Sequence, residues 1–288
     1  MDRPPRHYLR TLLILGRVSN LPTVWSNCLA GWWLGDGGSV PRLLWLSLGA
    51  MFLYLGGMYL NDAFDAQFDH QHRPERPIPS GAISSAAVWQ WGLSWLTLGF
   101  ITLCVLGVTT AALAAFLVIC IFLYDAVHKI FALSPLLMAA CRFLLILMAA
   151  SAARSGVTGL SIWSGVVLAS YIVGLSYLAR RESVNTPMRY WPCVFLCAPL
   201  LLALIVNRGE FQTRGVLLCL MLGCWILQCL NHTYWAAQRN VGRSVAGLLA
   251  GIALVDLLSV AGGTPLLAAM FAGLFMLALI LQRFVPAT

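Results

Sequence analysis

Along the chain, long apolar stretches alternate with short polar segments rich in arginine, proline and glycine. An α-helix rises 1.5 Å per residue, so about 20 apolar residues cross the roughly 30 Å hydrocarbon layer of a bilayer. Stretches of that kind fall at 11–34, 43–63, 87–108, 110–125, 133–153, 161–180, 191–206, 215–235, 244–262 and 264–284. The pattern predicts an all-α fold: a polytopic membrane bundle of about nine or ten transmembrane helices, forming a single domain over residues 1–288. Ten is the direct count. Nine applies if the last two stretches, parted only by Gly262-Gly263, make one hairpin or a re-entrant pair.

Several stretches carry polar interruptions. The first contains Arg17-Val18-Ser19-Asn20-Leu21-Pro22-Thr23, where Pro22 is expected to kink the helix. Asn20 should either bond a neighbouring helix or face a cavity. The fourth ends Tyr124-Asp125-Ala126-Val127-His128-Lys129. Arg142 lies a few residues into the fifth and needs an anionic partner, an Asp or a bound phosphate. The sixth ends in a second polar cluster, Arg180-Arg181-Glu182-Ser183. Asp256 stands alone in the ninth, with no partner identifiable from sequence.

The densest charge follows the second stretch. Asn61-Asp62-Ala63-Phe64-Asp65-Ala66-Gln67-Phe68-Asp69 places three of the chain's ten acids within eight residues. At about 100° per helical residue, Asn61, Asp62, Asp65 and Asp69 share an arc of roughly 100°. Carboxylates on one face repel unless water, cations or a metal offsets the repulsion. Hard oxygens of this kind suit Mg²⁺, which takes further ligands from water and substrate phosphates. The loop that follows holds Arg73, Arg76 and three prolines (Pro74, Pro77, Pro79), which fix turns and let the arginines fold back over the acids. The bland alternative is a solvated acidic helix end; the position at the end of a span argues against it. His70 and His72 read as surface residues.

Composition supports the membrane reading. Of 288 residues, 60% are hydrophobic and 10% charged, and the net charge is +8. Lys129 is the single lysine; the other 17 of the 18 basic residues are arginine. These arginines lie in loops between apolar spans, so they read as topology determinants and headgroup contacts, not as a nucleic-acid surface. With the N-terminus inside, Arg3, Arg6, Arg10, Arg73, Arg76, Lys129, Arg180, Arg181, Arg189, Arg239, Arg243 and Arg283 fall on the cytoplasmic side. Arg42, Arg154, Arg208 and Arg214 fall on the other. That asymmetry places the acidic face at the cytoplasm. The first apolar stretch is long and lacks a small-residue cleavage pattern, so no cleavable signal peptide is expected. Nine cysteines lie in apolar spans without a CxxC and read as small packing residues.

Carboxylates, basic loops and an apolar bundle suit a ligand with a diphosphate head and a long apolar tail. At these residues the chain resembles the UbiA family of intramembrane prenyltransferases. Asn61-Asp62-x-x-Asp65-x-x-x-Asp69 matches that family's first motif, NDxxDxxxD, at every defined position. Arg73-x-x-Arg76-Pro77-Ile78-Pro79-Ser80-Gly81 matches its RPxxRPIPSG-like loop, and the Arg17…Asn20-Leu21-Pro22-Thr23 segment is similar as well. The resemblance implies a UbiA-like bundle in which Asp62, Asp65 and Asp69 hold Mg²⁺ and a prenyl diphosphate donor. Asn61 would line the same face, Arg73 and Arg76 would lie by the phosphates, and Tyr124 and Lys129 fall where the family often has a Tyr and a basic residue.

One departure stands out. The family's second Asp-rich motif, a DxxxD after the sixth span, is here reduced to Glu182 beside Arg180 and Arg181. Glu182 is then the remaining candidate ligand of a second metal, with the two arginines taking over part of its charge. The pattern of Tyr124-Asp125…Lys129, Pro135…Cys141-Arg142 and Arg180-x-Glu182 is similar to an EboC-type branch. The candidate site is therefore Asp62, Asp65, Asp69, Lys129 and Glu182 for chemistry and metal, with Asn20, Asn61, Arg73, Arg76, Tyr124, Arg142, Arg180 and Arg181 for substrate. The expected activity moves a prenyl group from its diphosphate to an aromatic or polar lipid-like acceptor, among membrane lipids. The competing reading is a non-catalytic isoprenoid-binding or scaffold protein that has lost the second motif. A transporter would show inverted repeats and broken helices meeting at mid-membrane. A CDP-alcohol phosphotransferase would carry Asp-Gly and Ala-Arg ahead of its acids.

Overall fold

The computed structural model describes residues 5–180, 190–207 and 209–287. Those residues form thirteen α-helices and no strand, and all ten apolar stretches are helical. The helices are α1 (Pro5–Leu15), α2 (Leu21–Leu34), α3 (Val40–His72), α4 (Ser85–Cys104), α5 (Val108–Val127), α6 (Ser134–Ser151), α7 (Gly159–Ala179), α8 (Trp191–Leu196), α9 (Ala198–Val206), α10 (Gln212–Tyr234), α11 (Val241–Ala250), α12 (Ile252–Ser259) and α13 (Pro265–Leu281). Among the described residues seven segments are long and apolar enough to cross a membrane, one of them α11 and α12 together, and Trp191–Val206 and Pro265–Leu281 are shorter apolar helices.

Three stretches read as single spans are broken. The first breaks at Arg17, whose φ of 41° is left-handed, before a 3₁₀ turn at Val18–Asn20. Pro22 does not kink a continuous helix there. It sits in the first turn of α2, where its missing N–H costs no intrahelical bond. The second break, between α8 and α9, falls at Cys197, just before Pro199 in the first turn of α9. The third falls at Gly251, where an added Cβ would lie 2.9 Å from the Tyr171 hydroxyl. Several helix starts elsewhere are capped by side chains. Ser84 accepts from Ala87 N at 3.3 Å, Thr158 and Ser161 form a capping box, and Thr264 accepts from Leu267 N at 3.2 Å. Each satisfies an amide that the first turn leaves without an intrahelical partner.

α3 positions the polar cluster. Its 33 residues extend about 50 Å at 1.5 Å each. That exceeds the hydrocarbon thickness, so the turns carrying Asp62, Asp65 and Asp69 lie toward one end of the bundle. α3 is locked to α4 by reciprocal pairs. Gly49 and Gly56 on α3 face Leu103 and Leu96, while Gly99 and Gly92 on α4 face Leu53 and Leu60. Small residues let helix backbones approach closely where lipid supplies no hydrophobic drive.

A small buried cluster of Leu15, Tyr59, Ala63, Ile78, Ile83 and Val88 pins the loop after α3 beneath α1. The Tyr59 hydroxyl also donates to Leu12 O at 3.0 Å. At the other end of α3, the Arg42 guanidinium donates to Ala152 O at 2.6 Å and to Leu106 O, satisfying carbonyls at the ends of two helices.

An added Cβ at Gly56 would lie 2.8 Å from Leu96 N. Gly56→Val should therefore lower the thermal midpoint of the detergent-solubilised protein, with a stability loss of about 1–3 kcal/mol. Gly273→Ala, with nothing within 4 Å of its added Cβ, should leave the midpoint unchanged or raised.

Candidate functional site

The acids do face one way, as their spacing predicts. Asn61, Asp62, Asp65 and Asp69 are all buried on α3, at 6%, 6%, 7% and 2% exposure. What lies against them is a set of cations drawn from three other segments. Arg76, carried back by the pinned loop, places Nη1 3.0 Å from Asp62 Oδ1 and 3.5 Å from Asp69 Oδ2. From the break before α2, Arg17 puts Nη2 3.4 Å from both Asp62 Oδ1 and Asn61 Oδ1. At the end of α5, Lys129 Nζ lies 2.8 Å from Asp65 Oδ1, and His128 Nε2 lies 3.3 Å from the same oxygen. Lys129 also sits 3.7 Å over the Phe68 ring, a cation–π contact that fixes it further.

Lys129 is thus an ion-pair partner of the acidic face rather than a headgroup anchor. Tyr124 stacks on His128 with ring centroids 5.0 Å apart. Asp125, one residue on, is buried and accepts from Asn61 Nδ2 at 3.1 Å. His70 and His72 are exposed, and His72 stacks on Phe68 at 4.1 Å, in keeping with a surface role.

Other expected members lie elsewhere. Arg73 ends α3 through its backbone, with N donating to Asp69 O at 2.8 Å. Its side chain makes no ion pair with the acids among the described residues. Asn20 does not reach the acids: its Nδ2 donates to Ala287 O at 2.9 Å, holding the C-terminal segment against the 3₁₀ turn. Arg180 donates to Ala132 O at 2.7 Å and Phe131 O at 3.3 Å. It braces the loop that begins with His128 and Lys129. Arg181 and Glu182 lie outside the described residues.

Arg142 and Asp256 answer each other at one remove. Arg142 Nη1 donates to Asn27 Oδ1 at 2.6 Å, and Nη2 to Thr23 Oγ1 at 3.1 Å. Asn27 Nδ2 in turn donates to Asp256 Oδ2 at 2.7 Å, and Ser26 Oγ donates to the same atom at 2.5 Å. The buried arginine therefore has an acid behind it, with an amide relaying between them, as intramembrane charges require. The single-sequence pattern gave no sign of this pairing, because its partners are 115 and 229 residues apart.

Sequence reasoning also missed Arg17, His128 and Asp125 as members of the site. Arg17 was signalled by the polar interruption in an apolar span and by the family-like segment that it opens, neither of which ties it to the acids. Asp125 and His128 flank the residues chosen from the same segment.

The donor set is one of hard carboxylate and amide oxygens. Among the described residues no three His, Cys, Asp or Glu side chains converge as a ready metal cage. The acids are separated by cations instead. Such a set fits a hard divalent ion that takes one or two carboxylates and completes its shell from phosphate oxygens and water.

The fold and site together define an all-helical membrane bundle with a carboxylate face, countered by arginines and a lysine at one end. Residues 21–237 match the model of the UbiA prenyltransferase family, and the chain belongs to that family.

Its relatives include a digeranylgeranylglyceryl phosphate synthase of Methanoregula boonei, 32% identical over 91 residues, or 32% of this chain and 33% of that one. Another, of Ignicoccus hospitalis, is 32% identical over 117 residues, 41% of this chain and 38% of that one. The chain thus spans about a third of the length of these relatives. A UbiA homologue from Aeropyrum pernix K1 superposes with a TM-score of 0.67 at 13% identity, covering 86% of this chain and 98% of that one. A homologue from Archaeoglobus fulgidus, solved with GPP and Mg²⁺, gives 0.66 at 15% identity over 92% and 99%. At these identities the structural likeness is one of fold.

Arg76 serves two buried carboxylates and Arg73 none. Arg76→Ala should cost about 1–3 kcal/mol, the penalty for stranding buried acceptors. Arg73→Ala should leave the thermal midpoint within error of the parent.

Proposed function

We propose that the protein is a Mg²⁺-dependent prenyltransferase, moving a prenyl group from a prenyl diphosphate to a small-molecule or lipid acceptor at the membrane. The observation that carries this reading is the interleaving of three carboxylates with three cations at one end of an apolar bundle. Metal-ligating oxygens and phosphate-binding groups then share one surface, and the apolar helices beside it suit a prenyl tail. Family membership and the A. fulgidus homologue solved with GPP and Mg²⁺ support the same reading.

On this reading Asp62, Asp65 and Asp69 would hold the metal, which supplies neutralisation of the diphosphate as a leaving group. Arg17 and Arg76 bind phosphate oxygens, which their planar forks suit. Lys129 adds a point charge beside them. Asn61, Arg73, Tyr124 and Arg180 complete the candidate set among the described residues, Arg181 and Glu182 belong to it on the sequence alone, and Arg142 and Asn20 line the bundle behind it. The donor's C–O bond breaks with its electron pair leaving on the diphosphate. The acceptor's electron pair forms the new bond to carbon, and the acceptor loses a proton. Arg17, held by its left-handed backbone, is a charge already in place beside the leaving group and lowers the barrier because it needs no reorganisation. The arginine distribution supports a cytoplasmic position for the site.

Calorimetric titration of the purified protein with farnesyl thiodiphosphate tests the reading. Binding should require Mg²⁺ and should be lost in Asp65→Ala. Lys129→Met should weaken it about tenfold or more, the value of one charge-assisted hydrogen bond. Wild-type binding indifferent to Mg²⁺ would favour an isoprenoid-binding scaffold, and turnover retained in Asp62→Ala would overturn the metal assignment.

A further inference from the structure

One carboxylate at the site makes no ion pair among the described residues. Asp125 on α5 is 4% exposed. Its Oδ1 accepts from Asn61 Nδ2 at 3.1 Å. Its Oδ2 is buried and has no hydrogen-bond partner among the described residues. A buried carboxylate oxygen without a donor is costly. Such a group persists where it serves something other than stability.

The geometry shows what it serves. An amide has a donor end and an acceptor end, and either can be turned toward a neighbour. By accepting only, a carboxylate at Asp125 draws the NH₂ end of Asn61 toward α5. The Oδ1 end of Asn61 is then left on the side of Arg17, 3.4 Å from its Nη2. The same Arg17 nitrogen lies 3.4 Å from Asp62 Oδ1. The line Asp125–Asn61–Arg17–Asp62 therefore runs from a buried acid without an ion pair among the described residues to the acid that two arginines share. Arg17 is held in it at a left-handed φ of 41°, a conformation that costs a non-glycine residue free energy and survives only where its surroundings over-determine it. The Tyr54 hydroxyl, donating to Arg17 O at 3.4 Å, is part of that surround.

We infer that Asp125 is a positioning residue: it fixes the rotamer of Asn61 so that an oxygen, not an NH₂ group, faces Arg17 and the acidic face, and it thereby sets the affinity for the metal and diphosphate. The inference rests on the function proposed above. It assigns Asp125 no contact with substrate. An amide at position 125 could accept from Asn61 or donate to it, so both orientations of Asn61 become available. With the NH₂ end inward, Asn61 would present a donor to the Arg17 guanidinium, which has no acceptor to offer it.

The test is a double-mutant cycle on farnesyl thiodiphosphate binding with Mg²⁺, using the full chain in detergent. Asp125→Asn keeps the side chain's shape and should weaken Mg²⁺-dependent binding about tenfold or more, the usual range for a group that orients a ligating shell. Its thermal midpoint without ligand should be equal to or above the parent's, because a buried unpaired carboxylate has gone. A residue of purely structural importance would move both together. In the Asn61→Ala background, Asp125→Asn should have no further effect on binding. Additive losses, or unchanged affinity in Asp125→Asn, would overturn the inference. If Asp125→Asn does not fold, Asp125→Ser, which retains an acceptor but adds a donor, carries the same comparison. Failure of the wild type to bind the thiodiphosphate with Mg²⁺ would sink the proposed function itself, and the wild-type titration alone reads that out.

Discussion

Three buried carboxylates on about two turns of helix cannot coexist in a membrane protein without counter-charge, and the fold around them follows from that requirement. Their mutual repulsion and the cost of burial both favour protonation or unfolding. The chain answers with Arg17, Arg76 and Lys129, each delivered by a different segment. Delivery needs irregular backbone. Arg17 stands at a break between two helices, Arg76 in a loop held down by Ile78 and Ile83, and Lys129 in the turn after α5. Continuous helices could not bring all three to one face of α3. The least regular backbone at this end of the bundle is therefore where its charge is assembled.

The apolar part of the molecule supplies the rigidity that such an assembly needs. α3 is fixed against α4 by glycine–leucine pairs repeated over seven residues on each helix. α2, which starts just after Arg17, is tied to α6 and α12 through the Thr23, Ser26, Asn27, Arg142 and Asp256 network. Both arrangements act at a distance from the acids, yet they set the register of the helix that bears them and of the helix that follows Arg17. A buried polar network of this kind can be exacting about geometry, because each group left unpaired in a low-dielectric interior is costly.

Much of this was legible in the sequence, and the reasons for the rest are physical. The helical segments and the face shared by Asp62, Asp65 and Asp69 follow from periodicities of the chain alone. The family could be recognised because the acids and the loop after them are contiguous. The partners were harder to see. Arg76 lies 14 residues from Asp62 and was anticipated. Arg17 lies 45 residues away, and no local pattern links it to the acids. Arg73 and Arg76 look equivalent in sequence, but only Arg76 turns inward, because the buried Ile78 sets the loop's path. Pro22 was expected to bend a helix and instead begins one, since the chain had already broken at a left-handed arginine that composition does not reveal. Asp256 seemed isolated because its partners are reached through an amide on another helix.

Charge accounting links the arrangement to the proposed activity. Asp62, Asp65 and Asp69 are matched in number by Arg17, Arg76 and Lys129, so the face is close to neutral as it stands. A multiply charged diphosphate entering alone would compete with the carboxylates for those cations and leave acids uncompensated. A divalent cation entering alone would meet carboxylates already engaged. Entering together they permit an exchange, in which the acids turn to the metal and the basic side chains turn to the phosphates. That exchange favours joint binding over either ligand singly, and it needs cations that can move without losing their anchorage. Lys129 on its flexible stem and Arg76 in its loop meet that condition. Arg17, fixed by a left-handed backbone and by Asn61, does not. On this reading Arg17 is the stationary reference around which the others rearrange, which is why the orientation of Asn61 matters more than its modest hydrogen bonds suggest.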